Sequence, residues 1–135
     1  MPRLFRESPL LSIWEGSGNV AALDTLRAIA RQPESLEVLF DELDAAAGGD
    51  AHFDAYVAEL KNEFADTGEL EYRARTVVER LALALQGSLL VRFGHPAVAD
   101  GFTGSRLAGV PGNAFGTLVR GIDTAAIIER ATPKV

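Results

Sequence analysis

Apolar residues along this chain recur at three- and four-residue intervals, and no stretch of strict alternation competes with that helical period. Val20, Leu23, Leu26 and Ile29 predict a first helix from about Val20 to Arg31, with Asn19 in the N-cap position. It stops before Pro33, because a proline disfavours helical backbone at the residue ahead of it. Pro33 is itself a good first-turn residue and opens a second helix, with Leu36, Leu39, Phe40 and Leu43 on one stripe, ending at Gly48-Gly49. Asp50 is the expected N-cap of a third, striped by Phe53, Tyr56, Val57, Leu60 and Phe64 and broken at Thr67-Gly68.

The fourth helix is the longest, from about Glu69 to Phe93. Its second half, Leu81 to Val91, is apolar nearly all round, which predicts a central buried helix. Gly87 and Ser88 within it would let a neighbour pack closely. Gly94-His95-Pro96 ends it, and Pro96 starts a shorter helix through Ala97, Val98 and Phe102 towards Leu107. Residues 109–121 hold four glycines and a proline and read as loop, and Asp123 then caps a last short helix containing Ala126, Ile127 and Ile128. The fold class predicted is all-α, a helical bundle with antiparallel neighbours joined by short loops.

Composition narrows the chemistry. The chain has 135 residues, 47% hydrophobic and 24% charged, enough for one packed domain and too apolar for general disorder. It has no cysteine, which removes disulfides, thiolate metal sites and a cysteine nucleophile together. His52 and His95 are the only histidines, so a histidine-rich metal site is excluded and no metal is expected. No apolar run approaches the roughly 20 residues that span a bilayer, and Met1 to Arg6 lacks the apolar core of a signal peptide. A cytoplasmic protein without a membrane partner is the expectation.

The net charge is −6, which weighs against the whole chain being a nucleic-acid binder. Charge is unevenly spread, however. Residues 28–70 are strongly acidic, with Arg31 and Lys61 as the only bases, and read as a solvated face. From Arg73 onward arginines dominate.

One stretch has the grammar of a site: Ser12-Ile13-Trp14-Glu15-Gly16-Ser17-Gly18-Asn19. It sets a carboxylate after a bulky apolar pair and before a glycine-rich turn running into a helix. The glycines allow close backbone approach, and the free N–H groups and positive potential of a helix start suit an anionic cofactor such as a nucleotide pyrophosphate. Trp14 reads as a core anchor, a substrate wall, or both. Ser17 and Asn19 are open to turn and cap roles as well as to cofactor contact.

Arg6 to Asn19 resembles the aromatic-Glu-Gly-Thr/Ser signature near the C-terminal part of flavin-dependent acyl-CoA dehydrogenases. The spelling Trp14-Glu15 with Gly18-Asn19 looks like the AidB-like, adaptive-response branch. Leu83 to Arg92, Pro96 to Phe102, Ser105 to Leu107 and Ala114 to Leu118 carry the likeness along the rest of the chain. The resemblance implies that Glu15 is the base that removes the substrate α-proton, for which a partly desolvated carboxylate is suited. It places Trp14 and Gly16 against an acyl-CoA substrate and Ser17, Gly18 and Asn19 against FAD. Residues 1–19 would then carry the catalytic-base and FAD motif, and residues 20–135 the C-terminal helical bundle.

Family members also place a helical and a β-domain ahead of this region. The chain is therefore expected to be the last part of such an enzyme, inactive alone, and to associate as a homo-oligomer or with the missing domains. The branch is further associated with double-stranded DNA. That implies sequence-independent phosphate contacts from Arg73, Arg75, Arg92, Arg106 and Arg120, with no recognition-helix motif in view. The remaining alternative is a helical oligomerisation domain without a ligand.

Overall fold

The computed structural model describes residues 2–14, 16–66, 68–109 and 116–133. Among these residues there are seven α-helices and no strand, so the all-α expectation holds: α1 (Pro2–Glu7), α2 (Gly18–Arg31), α3 (Glu34–Asp44), α4 (Ala51–Ala65), α5 (Leu70–Phe93), α6 (Pro96–Phe102) and α7 (Thr124–Ala131). A 3-10 turn at Ser8–Ser12 follows α1, and a π-helical turn at Thr103–Leu107 continues α6.

Local chemistry accounts for most boundaries. Asp50 caps α4 as expected, its Oδ1 accepting from the Phe53 N–H at 2.8 Å. Asp123 caps α7 in the same way, accepting from the Ala126 N–H at 3.0 Å. The cap of α2 differs from the expectation. Ser17, with extended backbone, holds the N-cap position, and Asn19 lies inside the first turn. Gly18 can take helical backbone two residues earlier than the apolar periodicity signals, so the helix begins at Gly18. Residues 2–12 carry helical turns that no apolar stripe announced. Of the expected loop at 109–121, residues 110–115 lie outside the described residues, as does Thr67 of the break after α4; residues 116–121 form neither helix nor strand.

α5 is the axis of the fold, packing against α2, α3, α4, α6 and the π-helical turn. α4 and α2 run antiparallel to it. Phe53 of α4 lies opposite Gly87 and Glu63 opposite Arg80 and Arg73, while Gly18 at the start of α2 lies beside Arg75. The core joins Leu43, Ala46, Phe53, Tyr56, Val57, Leu60, Leu81, Ala84 and Leu107, with Phe40 and Phe64 packed edge to face on its flank, 5.9 Å apart. Gly87 is where close packing is needed: a Cβ there would stand 2.9 Å from Leu107 Cδ1 and 3.1 Å from Phe53 Cδ2. Ser88, fully buried, donates to the Glu42 carbonyl at 3.3 Å.

One expectation about α5 is corrected. The helix is central but not buried all round: Leu81, Ala84, Gly87 and Ser88 are buried, whereas Leu89 and Phe93 are exposed. The described neighbours cover one side of it, so the all-round apolar composition leaves a face open to solvent.

Candidate functional site

The motif singled out in the sequence sits where the N-terminal turns give way to α2. Ile13 and Trp14 both donate backbone N–H groups to the Leu10 carbonyl, at 3.0 and 2.8 Å, and the Gly16 N–H donates to the Ile13 carbonyl at 3.2 Å. Gly16 has φ +128°, backbone that residues with a Cβ rarely adopt, and it turns the chain into α2. Glu15 itself lies outside the described residues. Trp14 is 68% exposed and Ile13 64%, so Trp14 does not anchor this core. Leu11 and Phe5 of the same N-terminal segment are still more exposed.

The start of α2 is accessible. Ser17 and Asn19 are exposed, and Ser17 makes no side-chain cap hydrogen bond. Its carbonyl accepts from the Ala21 N–H at 3.0 Å, which closes the first helical turn and leaves the N–H groups ahead of Ala21 pointing outward, as at any helix start. Arg75 of α5 reaches this point. Its Nη1 stands 1.6 Å from where a Gly18 Cβ would be, so the guanidinium fills the space that glycine leaves. A narrow crevice of about 180 Å³ continues beside it, lined by Asn19, Ala22, Glu71, Tyr72 and Arg75.

The five arginines expected to contact phosphate do not form one surface chemistry. Arg73 is tied inward, donating to the carbonyls of Asp66 and Gly68 at 2.7 and 3.0 Å and pairing with Glu63 at 3.5 Å. Arg92 pairs with Glu42 and lies over the Phe93 ring, 4.6 Å from its centroid. Arg106 lines a groove of about 410 Å³ between α4, α5 and the π-helical turn, with Tyr56, Glu59 and Arg80. Arg75 and Arg120 are exposed.

Sequence reasoning did not find the ionic network on the α4–α5 seam. Arg80 bonds Glu63 at 2.7 Å and Glu59 at 3.2 Å, and its guanidinium stacks over the Tyr56 ring at 4.9 Å. Burial pushes the Tyr56 phenol above its ordinary value, against the opposing pull of Arg80. Glu59 and Glu63 sit one helical turn apart on α4, a spacing readable as a shared face, but their partner 17 and 21 residues away was not.

Fold and site together define an all-α helical domain whose exposed glycine-rich entry leads to an open helix start. No family model matches the chain. It is 33% identical over 100 residues to AidB of Escherichia coli (strain K12), a protein named as an acyl-CoA dehydrogenase. The aligned stretch covers 74% of this chain and 18% of AidB, so the chain spans less than a fifth of that relative's length. The chain is thus a relative of the AidB-like acyl-CoA dehydrogenases. No helix among the described residues is long and apolar enough to cross a membrane.

Proposed function

We propose that this chain is the C-terminal helical part of an AidB-like, FAD-dependent acyl-CoA dehydrogenase. Residues 1–19 contribute the base and part of the cofactor site, and residues 20–135 form the bundle that supports them. The observation that carries the reading is a sequence 33% identical to AidB whose Trp14–Asn19 motif opens onto the accessible start of α2.

The residues present fit the cofactor. Ser17 and Asn19 are exposed, and the α2 start, with the Arg75 guanidinium beside Gly18, gives positive potential suited to a phosphate. Ser17, Gly18 and Asn19 would hold FAD, which when bound supplies the hydride acceptor. Glu15 takes the α-proton of the thioester. The exposed Trp14 ring walls the acyl-CoA substrate and Gly16 lets that substrate lie against the backbone.

Exposed Phe5, Leu11, Ile13 and Trp14 support the expectation that other enzyme domains, or a second copy, cover this segment. Accordingly the chain by itself does not turn over acyl-CoA.

The test is a chimera in which this chain replaces its 100-residue counterpart in E. coli AidB. The chimera is expected to bind flavin and to lose the flavin's visible absorbance when acyl-CoA is added without oxygen. Glu15→Gln should keep the bound flavin and slow that bleaching by about 100-fold or more, the usual scale for a lost general base. Bleaching at the parental rate in Glu15→Gln would remove Glu15 from the role of base.

A further inference from the structure

We propose that the groove between α4, α5 and the π-helical turn is a binding site for a small organic cation, an amine carried on an apolar body. The inference is independent of the flavin reading above, because the groove shares no residue with the Trp14–Asn19 motif.

The groove has the size and the walls of a small-molecule site. Its volume of about 410 Å³ falls in the range of about 300–1,000 Å³ usual for such sites, which join apolar surface to a few polar groups that fix orientation. Tyr56, Leu83 and Leu107 supply the apolar surface, and Tyr56 and Leu107 are themselves buried, so the walls are fixed by the core behind them. One side is the π-helical turn at Thr103–Leu107, a rare local geometry that recurs at functional sites.

The charges decide what the groove takes. Its cations are already engaged. Arg80 is held by Glu63 at 2.7 Å and by Glu59 at 3.2 Å and lies over the Tyr56 ring, and Arg106 is not free either. Glu79 is different: among the described residues its carboxylate has no ion pair or hydrogen bond. Burial is the main cause of the raised Tyr56 pKa, and the charge of Glu79 adds to the rise, so this carboxylate lies within electrostatic reach of the phenol. Thr76, one turn earlier on the same face of α5, brings a hydroxyl to the same wall. An ammonium group there donates to Glu79 and Thr76 while its carbon body lies against Tyr56, Leu83 and Leu107. An anion would instead meet Glu59 and Glu79, with Arg80 already committed to two glutamates. Glu79 is exposed, so the ion pair adds only modest affinity to that of the apolar walls.

The probe is 2-phenylethylamine, titrated into the nitrogen-15-labelled chain, with 2-phenylethanol as its uncharged counterpart. The backbone amides of Thr76, Glu79 and Leu107 are expected to shift and to saturate at roughly millimolar amine. The alcohol should bind about fivefold more weakly, the scale of one partly exposed ion pair. Glu79→Gln removes the charge and little else from an exposed position, so helicity should persist. It should bring the amine down to the level of the alcohol and leave the alcohol unchanged. Glu37→Gln, which removes an exposed carboxylate from α3 outside the groove, should change neither. Equal binding of amine and alcohol by the parent chain, or amine binding that survives Glu79→Gln, would overturn recognition of a cation. Shifts that spread along the acidic α3 without saturating, or no shift at the groove with either probe, would overturn the site.

Discussion

Replacing Gly87 by alanine sets two effects of similar size against each other, and the structure decides which wins. In an open helix the change would help by about 1 kcal/mol, because alanine restricts the unfolded chain and favours helix. Gly87 is not open. Its new Cβ would stand 2.9 Å from Leu107 Cδ1 and 3.1 Å from Phe53 Cδ2, against an optimal carbon–carbon separation of about 3.5–4.0 Å. Phe53 is 1% exposed and Leu107 5%, so neither has solvent to retreat into. Overpacking a site of this kind costs about 1–3 kcal/mol. The net expectation is a loss of about 1 kcal/mol, read as a lower denaturant midpoint at unchanged slope. Leu107→Val shortens the side chain that makes the tighter contact. In the pair, Gly87→Ala should therefore cost less than it does alone, giving a favourable coupling of about 1 kcal/mol. A Gly87→Ala variant that gains stability and shows no coupling to Leu107→Val would refute the packing of α5 on α4 and the π-helical turn.

Two further outcomes follow from single groups. Asp50→Ala removes the cap of α4 and leaves the buried Thr103 hydroxyl with only its longer bond to the Asp100 carbonyl, at 3.4 Å, an expected loss of about 1–2 kcal/mol by chemical denaturation; Asp50→Asn should retain most of the cap, and equal losses would show that capping is not what Asp50 contributes. Tyr56 has its folded-state pKa raised above 10.0 by burial, so its contribution is fully present below that value and is lost as pH rises through the folded pKa. In a Tyr72→Phe background, where Tyr56 is the one tyrosine left, ultraviolet titration should give a midpoint above 10.0, and a midpoint at or below it would contradict the burial.

The bundle was legible because its signals are local. Stripes such as Phe53, Tyr56, Val57 and Leu60 have the helical period, and Asp50 and Asp123 announce helix starts with a side chain that accepts a backbone N–H. Where the expectation failed, the deciding information was not local. The apolar run from Leu81 to Val91 gives the hydrophobicity of α5 but not the number of neighbours that cover it, so Leu89 emerges on an open face. Asn19 and Ser17 are both good cap residues two positions apart, and composition alone does not choose between them. Residues 2–12 take helical turns without an apolar stripe, and their apolar side chains are left exposed, so periodicity had nothing to report there.

The site divides along the same line. Ser17, Gly18 and Asn19 are neighbours in sequence and could be read as a helix start with room for an anion. What the sequence does not announce is Arg75, which lies beside Gly18 where α2 packs on α5 with the small residues Ala22 and Ala74 buried on that seam. A larger residue at either alanine would separate the helices and carry the guanidinium away from Gly18. The small residues on the α2–α5 seam and the glycine at the start of α2 therefore form one arrangement: the first set the distance, and the second makes space for the charge.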